Sequence, residues 1–310
     1  MGQRLVEGSR TFHQGHPRNC RKNILGWNQY LSGTMLSALR LRLIRAVYLG
    51  MVCSFGLRAL AAPPIAEDYE YSCGELRLKG LMIRPTETTG PLPAVLVFPE
   101  WWGLNDYATS RARQLAELGY IAVAADMYGD RKVTTDPQVA ARLAGALKSD
   151  RSEMRRRAEA AVERVRTDPR VDPNRVAAIG YCFGGTVVLE LARSGAPVRG
   201  VVSFHGGLDR KADLPTTSPI RPRILVLHGA DDPLVPPDQV AAFEEEMRTH
   251  RADYRIVRYP GAVHSFTNPA AGSDPSRGVA YNPQADRDSW REMAAFLAEL
   301  FQKPLPKGHN

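Results

Sequence analysis

Short apolar runs alternate with longer stretches in which apolar residues recur at helical spacing, from residue 75 almost to the end of the chain. The runs are typical of buried strands, and the longer stretches are typical of helices that cover a sheet. The predicted strands are Glu75–Ile83, Ala94–Phe98, Ile121–Ala125, Val176–Ile179, Arg199–Phe204, Arg223–Leu227 and Tyr254–Tyr259. The predicted helices lie near Asp106–Leu118, Asp136–Thr167, Thr186–Ser194, Pro237–Thr249 and Gln284–Phe301. This alternation predicts a single α/β domain with a mainly parallel, doubly wound sheet flanked by helices.

The first 61 residues differ in pattern from the domain that follows. A mostly apolar segment, Ala46–Leu57, is too short to span a bilayer and follows a cluster of arginines. The small residues of Ala59-Leu60-Ala61 come directly after it and match a cleavage site. Residues 35–61 therefore predict a signal peptide and export to the periplasm or the medium. An uncleaved amphipathic anchor is the alternative, and the protein is cytoplasmic if the segment is not used.

The predicted boundaries follow from these patterns. Residues 1–61 form an N-terminal extension with the signal peptide, and Met35 is a second candidate start. Residues 62–74 lead to the first strand, residues 75–302 form the α/β domain, and residues 303–310 are a tail. Pro- and Gly-rich residues 272–281 are expected to form a loop that covers the site.

Charge is concentrated in the N-terminal extension. Nine of the 41 basic residues and one of the 33 acidic residues fall in positions 1–61, which leaves 32 of each in the rest of the chain. Because the domain has equal numbers of basic and acidic residues, its charge does not indicate a nucleic-acid partner. We expect no stable membrane span once the leader is removed. After the leader only Cys73 and Cys182 remain, too few for a disulfide framework, and no metal-binding spacing of cysteine or histidine is present. We expect no metal and no cofactor, and a monomer.

A cysteine lies between glycines in Gly180-Tyr181-Cys182-Phe183-Gly184-Gly185, after an apolar run and before a helical stretch. This is the strand-to-helix turn on which α/β-hydrolases present their nucleophile. Glycines permit the sharp turn, and the side chain is pushed out over the end of the sheet. Cys182 is therefore the candidate nucleophile. A buried structural thiol beside a tight turn is the alternative.

An acid and a base follow Cys182 in the chain order expected of this fold. Asp231 and Asp232 come after an apolar strand, and Pro233 restricts Asp232 to an extended conformation, although an ordinary Asx turn is an alternative. His264 lies in the loop after the last predicted strand. We interpret Cys182, Asp232 and His264 as a triad. His228 and His205 are weaker candidates, with a pocket or a hydrogen-bonding role.

Two tryptophans and a carboxylate follow the early strand Ala94–Phe98, in Glu100-Trp101-Trp102-Gly103. The loop after this strand supplies the second oxyanion-hole amide in α/β-hydrolases. Apolar packing of the loop is the alternative.

Taken together, these motifs resemble the dienelactone hydrolase family of α/β-hydrolases, from about Glu75 to Phe301. The matching segments are Glu100–Gly103, Asp126–Tyr128, Gly180–Gly185, Asp232–Val235 and His264–Phe266. The resemblance implies an α/β-hydrolase fold and carboxymethylenebutenolidase-like hydrolysis of a small ester or lactone through a thioester on the cysteine. It also implies that Glu100 holds the resting cysteine and that the backbone amides of Trp101 and Phe183 form the oxyanion hole.

Substrate recognition departs from the family pattern. The family places arginines after its Asp-x-Tyr segment and shortly after His-Ser-Phe, where they hold a substrate carboxylate. Here Arg131 is shifted by one residue, and no arginine follows His264 closely. The candidate pocket residues are Tyr128, Arg131, His205 and Phe266. Two alternatives stay open: a thiol hydrolase for thioesters or amides, and an exported ligand-binding protein without catalysis.

Overall fold

The computed structural model describes residues 62–302, in which an eight-stranded sheet is the central layer. The strands are β1 (Ile65–Cys73), β2 (Leu76–Arg84), β3 (Leu92–Phe98), β4 (Ile121–Ala124), β5 (Val171–Tyr181), β6 (Gly200–Phe204), β7 (Arg223–Gly229) and β8 (Tyr254–Tyr259). Their order in the sheet is β1-β2-β4-β3-β5-β6-β7-β8. Strands β3 to β8 run parallel, whereas β1 and β2 are antiparallel to their neighbours.

Helices pack on both faces of this sheet. They are α1 (Asp106–Glu117), α2 (Pro137–Ser149), α3 (Arg151–Arg166), α4 (Phe183–Ser194), α5 (Pro237–Thr249) and α6 (Pro283–Gln302). Two buried hydrophobic clusters result, one on each face of the central strands. Strands covered on both faces are mostly apolar, as the fully buried β4 is throughout and β6 is apart from Ser203. The predicted doubly wound α/β domain is confirmed for the described residues.

Two predictions of local structure are wrong. Residues 62–74 do not simply lead to the first strand, because β1 occupies Ile65–Cys73 and pairs antiparallel with β2. Its alternating pattern buries Tyr69 and Tyr71 and exposes the acidic residues between and around them. The predicted helix over 136–167 is two helices. Asp150 separates them and caps the second by accepting a hydrogen bond from the backbone amide of Glu153.

The predicted signal peptide at residues 35–61, the start at Met1 or Met35 and the tail at 303–310 lie outside the described residues. Within residues 62–302, no helix has the length and apolar character needed to cross a bilayer.

Candidate active site

The carboxyl ends of the parallel strands bring the predicted site residues to one edge of the sheet. Glu100 follows β3, Cys182 follows β5, Asp232 follows β7 and His264 follows β8. Because parallel strands all end at the same edge, residues far apart in the sequence meet in the loops there. The doubly wound topology is therefore what assembles the site.

Cys182 occupies a backbone conformation that non-glycine residues rarely adopt, with φ 52° and ψ −112°. The turn around it leaves no room for side chains. A Cβ on Gly180 would lie 2.0 Å from the carbonyl oxygen of Gly184, and a Cβ on Gly184 would lie 2.1 Å from that of Phe98. Only glycine fits at these two positions, so the motif encodes the tight turn directly.

A continuous chain of contacts joins Cys182, His264 and Asp232. The Sγ atom of Cys182 lies 3.1 Å from Nε2 of His264, and Nδ1 of His264 lies 2.8 Å from Oδ2 of Asp232. The other carboxylate oxygen of Asp232 accepts a hydrogen bond from the backbone amide of Leu234. Asp231 is exposed and instead accepts from the amide of Gly261. Asp232, and not Asp231, is thus the carboxylate that contacts the histidine.

The environment of His264 favours its charged form. Burial opposes the charge, but the neighbouring sulfur of Cys182 and the carboxylate of Asp232 outweigh it and raise the pKa of His264 to about 10. The imidazolium can donate one N–H to Asp232 and the other toward the sulfur. The arrangement can therefore keep a protonated imidazole beside the sulfur of Cys182 at neutral pH.

The carboxylate of Glu100 contacts other side chains and not the thiol of Cys182, contrary to the role that the family resemblance implies. Its buried carboxylate accepts one hydrogen bond from Oγ of Ser265, at 3.1 Å, and another from Nδ2 of Asn268, at 2.6 Å. Burial raises the pKa of Glu100, and these two hydrogen bonds oppose the rise. The thiol has His264 as its partner instead.

His205 lies behind the nucleophile and does not line the cavity. Its Nδ1 accepts a hydrogen bond from the backbone amide of Cys182 at 3.1 Å, and its Nε2 lies 2.7 Å from Oγ1 of Thr267. Since Nδ1 accepts from an amide, the ring proton is on Nε2. Burial and the nearby charge of His264 hold the pKa of His205 well below its usual range. His205 is therefore a neutral side chain that supports the turn.

A cavity of about 1030 Å³ opens above Cys182. Glu100, Trp101, Phe183 and His264 line it together with the nucleophile, and the rings of Trp101 and Trp102 contact each other at 4.7 Å between centroids. Phe183 is the first residue of α4, where backbone amides have no partner within the helix. The predicted oxyanion-hole residues thus border the space in which a substrate carbonyl would lie.

The candidate pocket residues are placed elsewhere. Arg131 turns toward β1 and β2, where it contacts Asp68 and the carbonyl oxygen of Lys79, because the extra residue before it and its positive φ redirect the side chain. Tyr128 donates a hydrogen bond to the carbonyl oxygen of Trp101 and so fixes that loop. Phe266 is fully buried in the core beside His205. These positions correct the predicted pocket.

Sequence reasoning missed Ser265 and Asn268, the partners of Glu100. Asn268 lies in the region where the family arginine was sought, but nothing in the sequence indicated that its amide would bind a carboxylate 168 residues away. Ser265, like Cys182 and His205, has a positive φ. Strained backbone is therefore concentrated around the site.

Among residues 62–302, no group of histidine, cysteine and acidic side chains has the geometry of a metal site, and Cys73 and Cys182 are free thiols. The fold and the strand-to-helix turn at Cys182 are those of an α/β-hydrolase, with cysteine at the position where serine is usual.

Comparison with known proteins agrees with this class and narrows it. Residues 78–301 match the model of the dienelactone hydrolase family. A protein of Bradyrhizobium sp. named "Probable 2-oxo-3-(5-oxofuran-2-ylidene)propanoate lactonase" is 30% identical over 233 residues, which cover 72% of this chain and 90% of that protein. The chain therefore belongs to the dienelactone hydrolase family, and it is a hydrolase of carboxylic ester or lactone bonds.

Two solved structures resemble the fold. A dienelactone hydrolase-like promiscuous phosphotriesterase from metagenomic libraries is 42% identical, covers 77% of this chain and 99% of its own, and has a TM-score of 0.72. A dienelactone hydrolase from Anabaena variabilis is 20% identical and covers 79% of this chain and 100% of its own, with a TM-score of 0.55. At that identity the second likeness concerns the fold alone.

Proposed function

We propose that the protein hydrolyses a small ester or lactone through a thioester on Cys182, assisted by His264 and Asp232. The observation that carries this proposal is the unbroken chain Cys182 Sγ–His264–Asp232, with contacts of 3.1 and 2.8 Å, at the floor of a large cavity. The contacts are within the range that proton transfer requires.

Acylation begins with the thiolate of Cys182, whose proton is held by His264. The sulfur attacks the substrate carbonyl, a C–S bond forms, and the carbonyl oxygen becomes an oxyanion that the amides of Trp101 and Phe183 stabilise. When the intermediate collapses, the ester C–O bond breaks and His264 gives its proton to the leaving alkoxide. The products are a thioester and a free alcohol, or a ring-opened chain when the substrate is a lactone.

Deacylation uses the same residues in reverse. His264, now neutral, takes a proton from water, and the resulting hydroxide adds to the thioester carbonyl. The C–S bond then breaks, the acid leaves, and the sulfur is restored as a thiolate beside the imidazolium. Asp232 keeps the imidazole oriented and stabilises its charge in both halves of the cycle.

Steady-state hydrolysis of an aryl acetate by the full chain, compared with the Cys182→Ala variant, tests this proposal. We expect turnover by the parent and a rate near background in the variant, since loss of the nucleophile removes most of the acceleration. Equal rates would contradict the mechanism. A burst of one equivalent without turnover would favour the ligand-binding alternative.

A second candidate activity is the hydrolysis of phosphate triesters. It is favoured by the 42% identity to the promiscuous phosphotriesterase and by the described lining of the cavity, which includes no arginine to bind an anion. Repeated turnover of an aryl dialkyl phosphate would support it. Stoichiometric and lasting inactivation at Cys182 would exclude it.

The site acts outside the cytoplasm if the segment at residues 35–61 serves as a signal peptide, as its arginine flank, apolar core and small residues suggest. N-terminal sequencing of the protein purified from its native cells tests this. A mature start near residue 62 supports export, and a start at Met1 or Met35 contradicts cleavage.

A further inference from the structure

Exposed apolar side chains are concentrated at the cavity. The large apolar residues that residues 62–302 expose are Leu118 (49%), Val133 (45%), Leu234 (58%) and Val279 (36%). Val133, Leu234 and Val279 all line the cavity, and we call these three the apolar rim. Single exposed apolar residues are ordinary, but several that border one cavity indicate a surface that a ligand covers.

Each residue of the apolar rim is tied to a loop of the candidate active site. Val133 forms a β-bridge with Gly103, in the loop that carries Trp101. The amide of Leu234 donates to Asp232, and Val279 forms a β-bridge with His264. The rim is therefore held in position relative to the reacting groups, and part of a substrate bound at Cys182 would contact it.

Apolar side chains also line the interior of the cavity. Trp101, Trp102, Leu104, Phe183 and Val235 face the same cavity. At about 1030 Å³ the space is at the upper end of what small-molecule sites provide, and it is larger than an acetyl group needs. The cavity therefore has room for a bulky apolar acyl or alcohol group.

Charged residues of the cavity oppose an anionic substrate near the nucleophile. Glu100 is buried and accepts only neutral donors, from Ser265 and Asn268, and no arginine is among the described lining residues. Lys148, which also lines the cavity, is exposed on α2. A substrate carboxylate near Cys182 would thus face Glu100, and the imidazolium of His264 beside it is already paired with Asp232.

From these observations we propose that the site takes uncharged esters with an aryl group or a medium-length alkyl chain, and that it discriminates against esters that bear a free carboxylate. The apolar rim determines this specificity. The inference rests on the proposed ester hydrolysis at Cys182 and assigns its substrate class.

A matched pair of substrates tests the charge preference: a 4-nitrophenyl hexanoate and the mono-4-nitrophenyl ester of adipic acid, which has the same chain length with a terminal carboxylate. We expect kcat/KM to be about 30-fold or more higher for the hexanoate, because its terminal methyl group packs on the apolar rim, where the carboxylate of the other ester would lose water without an arginine to pair with it. Equal values for the two esters would overturn the proposal.

Rim variants test the apolar contact. Leu234→Ser should lower the ratio of kcat/KM for the hexanoate to that for the acetate about tenfold, since only the longer chain reaches the rim. Leu118→Ser, an equally exposed position away from the cavity, is the matched control and should not change this ratio. Leu234→Lys should reduce the preference for hexanoate over the adipate monoester about fivefold, which a purely structural defect would not do.

The outcomes separate the two proposals. If the acetate is hydrolysed in a Cys182-dependent way but the adipate monoester matches the hexanoate and Leu234→Ser has no effect, the substrate class is wrong and the hydrolytic mechanism stands. If no ester is turned over by the parent, the mechanism fails and the substrate class with it.

Discussion

The charge of His264 is determined by two neighbouring side chains rather than by its exposure to water. Cys182 and Asp232 contact its two ring nitrogens, and together they outweigh burial, which by itself disfavours a charged imidazole. The imidazolium therefore persists from the usual histidine pKa near 6.5 up to about 10. Over that interval the site keeps the acid that the proposed acylation needs.

This raised pKa gives the first prediction. For an alkyl ester, kcat/KM should stay level through neutral pH and fall with an apparent pKa of about 10, as His264 loses the proton needed by the leaving alkoxide. Asp232→Asn removes one cause of the raised pKa, so the alkaline limb should move to lower pH and the rate should fall about 100-fold or more. A full pH–rate profile of both proteins checks this.

The same shift has a defined effect on stability. Because the pKa of His264 is higher in the folded protein than in the unfolded chain, protonation of His264 stabilises the fold. This contribution is complete below pH 6.5 and is lost as the pH rises through about 10. In the pH–rate profiles, an alkaline limb of the parent near pH 7 would contradict the environment assigned to His264. So would an alkaline limb of Asp232→Asn at the same pH as that of the parent.

His205 gives the second prediction at this scale. Its Nδ1 accepts from the amide of Cys182, which also donates to the carbonyl of Phe204, so the ring positions the turn without being its only support. His205→Leu should lower kcat about tenfold with little change in KM. His205→Asn offers an oxygen near the place of Nδ1 and tolerates the positive φ, so it should retain kcat within a few-fold. Equal losses in the two variants would contradict a positioning role.

At the scale of the elements, the junction between β5 and α4 depends on the absence of side chains where backbone segments approach. The carbonyl oxygen of Phe98, at the end of β3, lies where a Cβ of Gly184 would be. The amide of Gly184 also donates to the carbonyl oxygen of Pro99, which joins the helix to the loop that carries Trp101. The turn at Cys182 and the loop that carries Trp101 are therefore packed directly on one another.

Gly184→Ala should consequently lower the free energy of unfolding by about 3 kcal/mol and reduce activity, because the backbone segments must move apart. Gly145→Ala is the matched control. Gly145 lies inside α2, and nothing is within 4 Å of the position that an alanine methyl group would occupy, so alanine there should stabilise the protein by about 0.5–1 kcal/mol. Chemical denaturation measures the free energy of unfolding of both variants, which should fall in Gly184→Ala and rise in Gly145→Ala. A neutral Gly184→Ala would contradict the close packing.

The strands and turns near the site were predictable because the pattern of apolar residues and the sequence motifs indicate the same structure. The apolar runs before Cys182, Asp232 and His264 predicted strands, and the parallel topology then requires their ends to meet. Strand β1 was missed because its alternation involves tyrosines and acidic residues, and its partner β2 is needed to bury Tyr69 and Tyr71. The pairing, and not propensity, makes it a strand.

At the scale of the whole molecule, buried charges connect helices on the face that carries α4. The guanidinium of Arg193 on α4 contacts Glu190 at 3.0 Å and Glu246 on α5 at 2.8 Å, and all three are buried. Arg151 and Arg155 of α3 also contact Glu190. Removing Arg193 takes away the cation that pairs with buried Glu246, whereas Glu190 keeps Arg151 and Arg155.

Arg193→Ala should therefore lower the free energy of unfolding by about 3–5 kcal/mol. Arg248→Ala is the control, since Arg248 pairs with Glu245 on the exposed surface, where water and salt screen the pair and its loss should have little effect on stability. Thermal and denaturant unfolding compare the two variants. Similar losses in both would show that the buried network does not hold the helices together.

Long-range contacts were the part that the sequence did not determine. Arg131 contacts β1 and β2 instead of the cavity, and Glu100 contacts Ser265 and Asn268, about 165 residues further along the chain, instead of the thiol. Each side chain had several polar partners within reach of its loop, and only the packing of the whole domain selects among them. The residue types at the site were predictable, but the partners that they choose were not.

The proposed chemistry of the whole enzyme requires Cys182 to carry the acyl group, and intact-protein mass spectrometry during turnover can detect that group. Full-length enzyme is quenched in acid while it hydrolyses an aryl hexanoate, and the modified peptide is then located. We expect one hexanoyl group on Cys182 of the parent and none in the Cys182→Ala variant. An acyl group on another residue, or turnover that persists unchanged in Cys182→Ala, would show that the cysteine is not the nucleophile.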